Sequence, residues 1–174
     1  MGRCRSHEFM EYRGRIMDSI CTNERLIRLL TPDDFNELIS PSDLPYKFVF
    51  PYELITGTQT KKQRFIGFDI SAKPNVFNHT FKDMVLDFFI ICDENLIAYP
   101  DPDIKGYTRC WYDLVVCELE EMFFGDNPID IGVGKFEFKS NEPYFVSYAR
   151  EIPFKGRTWS IEVNEWMNGK KYGK

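Results

Sequence analysis

A search for catalysis starts with the two histidines, because imidazole is the side chain that changes charge near neutral pH. His7 lies among arginines near the N-terminus, and His79 stands between Asn78 and Thr80 in a turn-like run. Neither belongs to a metal-ligand spacing such as HxxxH. Both read as solvated rings. Without a placed histidine, a serine or cysteine nucleophile has no evident base.

Carboxylates offer more. Glu137-Phe138-Lys139 is an E-x-K on a strand-like run, the pattern with which restriction-type nucleases hold Mg2+ and activate water, given an aspartate on the preceding strand. The candidates for that aspartate are Asp126 and Asp130. Asp130 is only seven residues upstream of Glu137, too close to begin a separate paired strand. The outward face of an alternating strand is the better account of Glu137 and Lys139. Asp101-Pro102-Asp103 lacks the further ligands of a calcium loop. Gly132-x-Gly134 lacks the later glycine of a phosphate loop and opens a strand, not a helix. Cys4, Cys21, Cys92, Cys110 and Cys117 form an odd set with no CxxC spacing, which reads as reduced intracellular thiols. Cys92 and Cys117 are expected to be core filler. The sequence thus assigns no catalytic, cofactor-binding or metal-ligating residue, and no cofactor. The expectation is a protein that is not an enzyme, with a Mg-dependent nuclease using Glu137 and Lys139 as an alternative.

Composition narrows the class. With 43% hydrophobic and 28% charged residues over 174 positions, the chain has the balance of one globular domain. Its 16 Phe, 9 Tyr and 3 Trp suit a sheet-rich core and surfaces that meet other proteins. A net charge of −5 does not suit a coat for nucleic acid, which needs clustered Lys and Arg. The longest apolar run, 88–92, is strand-sized, far short of the ~20 residues of a membrane helix, and the N-terminus shows no signal-peptide core.

The elements that would carry any site follow from periodicity. Residues 1–16 read as a flexible basic arm with Arg3, Arg5, Arg13 and Arg15, and Met10 or Met17 could each serve as a start. Residues 17–30 have a helical period, with Asn23 or Ser19 as cap and Thr31-Pro32 as stop. A helical turn is expected over 33–39, an extended aromatic segment over 46–55 with Pro51 at a bulge or edge, and a polar loop over 56–64. Ile66, Phe68 and Ile70 share one face of a strand over 65–70, and 71–78 reads as a turn. Residues 93–108, with two prolines and a glycine, read as an exposed loop. A second helix over 110–124 carries the stripe Trp111, Leu114, Val115, Leu119 and Met122, stopped by Gly125. Strands follow over 134–140, with Phe136 and Phe138 inward, then over 144–150 and 157–166. The domain is 17–166, with 167–174 a C-terminal tail. The fold class is α+β: a mostly antiparallel mixed sheet packed against two main helices, with extended loops and the N-terminal arm.

The strand over 80–92 sets a further condition. One face carries Met84, Leu86, Phe88 and Ile90; the opposite face carries Asp83, Val85, Asp87, Phe89 and Ile91. Two helices can cover only one face of a sheet. The mixed face needs another partner.

In the order of these elements, and in the phrases "TNERLIRLL", "LPYKFVFPY", "FIGFDI", "NHTFKDMVLDFFIIC", "CWYDLVVCELEEMFF", "IGVGKFEFKS" and "GRTWSIEVNEW", the chain resembles the small α+β neck proteins of tailed bacteriophages, the tail-terminator or tail-completion group. The resemblance spans 17–166 and departs from the pattern in the basic arm and the 93–108 loop. It implies a virion structural protein, assembled in the bacterial cytoplasm, that forms a homo-oligomeric ring, commonly a hexamer, at the head–tail junction. Its implied partners are copies of itself, the tail tube protein and the head connector, with genomic DNA only passing through the lumen and no membrane. Another neck tier, head completion or joining, is the nearest alternative. Loops of this kind would order against neighbours, so the candidate contact residues are Arg3, Arg5, Arg13, Arg15, Lys61, Lys62, Tyr99, Asp101, Asp103 and Tyr107.

Overall fold

The computed structural model describes residues 5–31, 37–53, 62–74, 82–101, 103–133, 135–144 and 154–163. From the N-terminus the elements are α1 (Arg5–Thr22), α2 (Glu24–Leu30), β1 (Val49–Phe50), β2 (Arg64–Pro74), β3 (Lys82–Asp93), β4 (Ala98–Pro100), β5 (Thr108–Cys110), α3 (Trp111–Phe124), β6 (Glu137–Tyr144) and β7 (Phe154–Val163). Five strands form one sheet in the order β1-β2-β3-β7-β6, parallel at β1–β2 and antiparallel elsewhere, while β4 and β5 pair separately. The α+β reading and the central place of β3 hold. No helix among the described residues is long and apolar enough to cross a membrane.

The helices lie on one face of this sheet. Ile66, Phe68 and Ile70 of β2, Met84, Leu86, Phe88 and Ile90 of β3, and Trp159, Ile161 and Val163 of β7 are all buried there. Against them pack Trp111, Leu114, Val115, Leu119 and Met122 of α3, the whole expected stripe. The indole N–H of Trp111 donates to the Leu29 carbonyl at 2.7 Å, which ties the start of α3 to the end of α2. Asn23 caps α2, its side chain accepting the N–H groups of Arg25 and Leu26 at 2.9 and 3.0 Å. Thr31, extended before a proline, ends it.

Several readings of the sequence are corrected. Residues 5–16 are helical within α1 and place Tyr12 and Ile16 in the core. Tyr12, Ile16 and Ile20 recur every four residues, a buried stripe that outweighs the loosening effect of Gly14, which sits on the exposed side. Among the described residues of 46–55 only two are strand. The chain instead folds tightly, with the N–H groups of Lys47, Phe48 and Val49 all directed to the Leu44 carbonyl at 3.2, 2.9 and 3.0 Å. Tyr46 takes a left-handed φ of 61° in that turn, a conformation costing a non-glycine residue about 1–2 kcal/mol. Pro51, without an N–H, follows directly after the edge strand β1, as expected.

The third correction is the 93–108 loop, which orders itself. Asp93 is buried and accepts the backbone and side-chain N–H groups of Asn95 at 2.9 and 2.8 Å, starting a short 3-10 turn at Glu94–Leu96. Strands β4 and β5 then close a hairpin. Fourth, Phe138 is 57% exposed although Phe136 is buried. It pairs with Ile161, but a bulge between Phe138 and Ser140 breaks the alternation at the outermost strand. The strand over 65–70 runs on to Pro74, further than its expected end. Cys92 is buried as expected, and burial pushes its thiol up to about 12. Cys117 is exposed on α3, contrary to its reading as core filler. The expected turn over 71–78 is corrected in its first half, since 71–74 continue β2 and pair with β3; its second half, with the expected turn over 33–39, the polar loop over 56–64, the strand over 144–150 and the tail over 167–174, lies wholly or largely outside the described residues.

Candidate partner-binding surface

The face of the sheet opposite the helices divides along its strands into two chemistries. At one end Phe50, Phe65, Ile91 and Phe154 form a second, small buried cluster, with Phe89 and Tyr144 packed against it. Rings run from Phe50 to Phe65 and on to Phe154 at 6.0 Å each, and Phe89 meets Tyr144 edge-on at 5.8 Å. The Tyr144 hydroxyl donates to Glu53 Oε1 at 2.9 Å. Tyr144 ends the edge strand β6, and Glu53 lies just beyond β1 at the other edge. The two edges therefore meet over this end of the outer face. Burial, reinforced by the Glu53 carboxylate, pushes the Tyr144 phenol up to about 12.

The other end is polar. Asp69 of β2 and Asp87 of β3 are direct cross-strand neighbours, a pairing that costs energy unless both charges are answered. Arg13 of α1 reaches Asp69 at 2.5 Å, and the Ser160 hydroxyl donates to Asp87 at 2.5 Å. Glu162 of β7 faces Glu137 of β6, and Lys139 stands 3.7 Å from Glu162. The E-x-K pair is thus part of an edge-strand charge arrangement. Asp130 accepts the Gly132 N–H at 2.7 Å in a turn, and Asp126 is exposed. Among the described residues no group of three or more His, Cys, Asp or Glu is placed to hold a metal ion.

The candidate contact residues do not gather into one patch. Arg3 and Lys61 lie outside the described residues, as does His79; Arg5 opens α1, and His7 is exposed along it. Arg13 is engaged by Asp69, and Arg15 lies exposed against Gly132. Lys62 is exposed ahead of β2.

Two of the candidates serve the chain itself. Tyr99 lies under the buried Arg64 guanidinium, 4.9 Å from ring centroid to Cζ, and its hydroxyl donates to the Arg28 carbonyl at 3.2 Å. Asp101 is buried, accepts the N–H groups of Asp103 and Ile104 at 2.8 and 3.0 Å, and pairs with Arg109. Burial alone would raise the Asp101 carboxyl, but those two N–H donors and Arg109 outweigh it and hold the carboxyl below its usual range. Asp103 and Tyr107 do face outward at the hairpin tip, Tyr107 being 66% exposed, with Ile104 beside them.

Sequence reasoning missed several exposed aromatic side chains. Tyr46 stands 65% exposed on its strained turn, and Phe124 and Phe138 are exposed toward the β6 edge. Only the Asp43–Lys47 spacing, an ion pair at 2.7 Å across that turn, hinted at a compact loop around Tyr46.

Residues 23–163, from the cap of α2 to the last residue of β7, match the sequence profile of the YomW family. No curated protein and no solved structure matches the chain significantly. The match takes in the whole five-stranded sheet together with α2 and α3, and on that extent the chain belongs to the YomW family, a family of Bacillus phage type.

Proposed function

We propose that this protein is a structural component of the virion, a ring-forming subunit at the head–tail junction that terminates or completes the tail and docks it to the head connector. The observation that carries this reading is membership of a phage-type family by a chain whose described helices lie on one face of its sheet. The turn before β1, the end of α3 and the edge strand β6 expose aromatic side chains, Tyr46, Phe124 and Phe138. Exposed aromatics on a folded scaffold are the composition of protein interfaces. A ring is built from one contact type repeated head to tail, in which one surface of a subunit meets a different surface of the next. The acidic balance of −5 would keep DNA from adhering to a lumen made of such subunits.

The test is genetic and structural. Phage lacking the gene should assemble heads and tails that fail to join, or tails of irregular length. Reconstruction of intact particles should find this fold as a ring at the neck. Particles with a normal neck and no copy of this chain would refute the proposal.

A further inference from the structure

Helix α1 is joined to α2 by a single residue, Asn23, whose backbone is extended at φ −76° and ψ 110°. The sequence does not demand this break. Tyr12, Ile16, Ile20, Ile27 and Leu30 recur at a helical period straight through it, and neither proline nor glycine stands at the joint. As folded, the Asn23 side chain accepts the N–H groups of Arg25 and Leu26 at 2.9 and 3.0 Å. With Asn23 helical, the same two groups would bond the Cys21 and Thr22 carbonyls, so neither arrangement leaves them unpaired. Straightened, the two helices become one over 5–30, and α1 leaves its seat.

That seat is shaped for this helix. Ile16 and Ile20 are fully buried and Tyr12, Met17 and Cys21 nearly so, while α1 packs on α2, β1 and the short 3-10 turn Pro41–Asp43. Arg13 reaches from α1 to Asp69 of β2. The stretch that matches the family begins at Asn23, so the seat lies inside it and the helix that fills the seat lies outside it. A lone chain cannot leave the seat empty without putting both isoleucines into water. The identical helix of a neighbouring copy would fill it with the same contacts, which makes such an exchange inexpensive.

We infer that in the assembled form α1 of each subunit seats on the next copy of this chain, the joint at Asn23 straightening to pass it across. This rests on the self-assembly reading above and supplies its linkage. Handed on in one direction, the helix links subunits head to tail and closes a ring.

Crosslinking of the full chain tests it. Arg13→Lys keeps the cation and offers a primary amine that a carbodiimide can join to the Asp69 carboxylate. Heavy-isotope and normal forms of this variant are unfolded and refolded together, crosslinked over a concentration series, separated by size, and their joined peptides weighed. Oligomers should carry crosslinks between a heavy and a light chain, and monomers only crosslinks within one chain. In sedimentation velocity Asn23→Ala, which removes the cap and favours the straight helix, should associate roughly tenfold more tightly than wild type, and a glycine-rich insertion after Asn23, which lets α1 fold back freely, roughly tenfold more weakly.

Oligomers without mixed crosslinks overturn the exchange and leave the ring reading standing, as do joint variants that associate like wild type. Should Asn23→Ala fail to fold, the crosslinks and the insertion decide. A wild-type chain that stays monomeric at every concentration overturns the self-assembly reading, and the exchange with it.

Discussion

The Tyr144 hydroxyl and the Glu53 carboxylate, 2.9 Å apart, join the two edges of a five-stranded sheet across the face opposite the helices. The phenol of the folded protein is raised from its ordinary value of 10.0 to about 12. A group whose folded pKa is raised contributes stability below its unfolded pKa and loses it as pH rises toward the folded one. Wild-type protein should therefore lose stability to urea between pH 10 and about 12, and Tyr144→Phe should lack that component. Identical alkaline slopes in the two proteins would show that the bond contributes nothing.

Asp101 gives the opposite sign. Its carboxyl is held below the usual range, so the stability it lends is present above the ordinary carboxyl pKa and disappears as pH falls through the depressed one. In acid the amides of Asp103 and Ile104 should be less protected, relative to their intrinsic exchange rates, than at neutral pH. In Asp101→Asn they should exchange fast at neutral pH as well. Protection that is unchanged in the variant would mean the hairpin is held by other means.

Helix α1 belongs to the core, which alters what truncation should do. Removing residues 1–16 deletes the buried Tyr12 and Ile16 and should lower the melting temperature, not merely weaken assembly. Ile16→Ala alone should cost about 2–5 kcal/mol by chemical denaturation. A truncated chain that melts like the full one would return these residues to the status of an arm.

Leu119, fully buried on α3, should likewise cost about 2–5 kcal/mol when changed to alanine, through lost transfer energy and the cavity left behind. Equilibrium urea unfolding measures it, and a change under about 1 kcal/mol would mean that α3 is loosely seated.

Gly156 permits a close backbone approach between β7 and β3. A Cβ built there would lie 2.0 Å from the Ile90 carbonyl oxygen, so Gly156→Ala must push β7 away from β3. We expect a loss of at least about 2 kcal/mol, seen as an earlier unfolding midpoint in urea. An unchanged midpoint would show that the strands can separate there at no cost.

Periodicity carried the parts of the fold where one pattern had no competitor. Leu114 to Met122 could only be a helix stripe, and Met84 to Ile90 only a strand face. It failed where a side chain acts on the backbone at short range. Asp93 and Asp101 look like loop polarity in a string of letters, yet in space they collect N–H groups and order the segment. Tyr46 could not be read because its conformation is set by the Leu44 carbonyl and not by its own preference. The Arg13–Asp69 and Tyr144–Glu53 contacts join residues 56 and 91 positions apart, separations at which sequence alone names no partner.

The position of β3 has a consequence for how the chain is made. Its first partner, β2, precedes it, but its second, β7, begins only at residue 154. During synthesis β3 therefore leaves the ribosome with one edge unpaired and bulky apolar groups on both faces, and it keeps that edge while the next sixty or so residues are added, several seconds at ordinary translation rates. Runs such as 88–92 are what other nascent copies would pair with in that interval. The yield of soluble protein should accordingly depend on how quickly the last strand arrives.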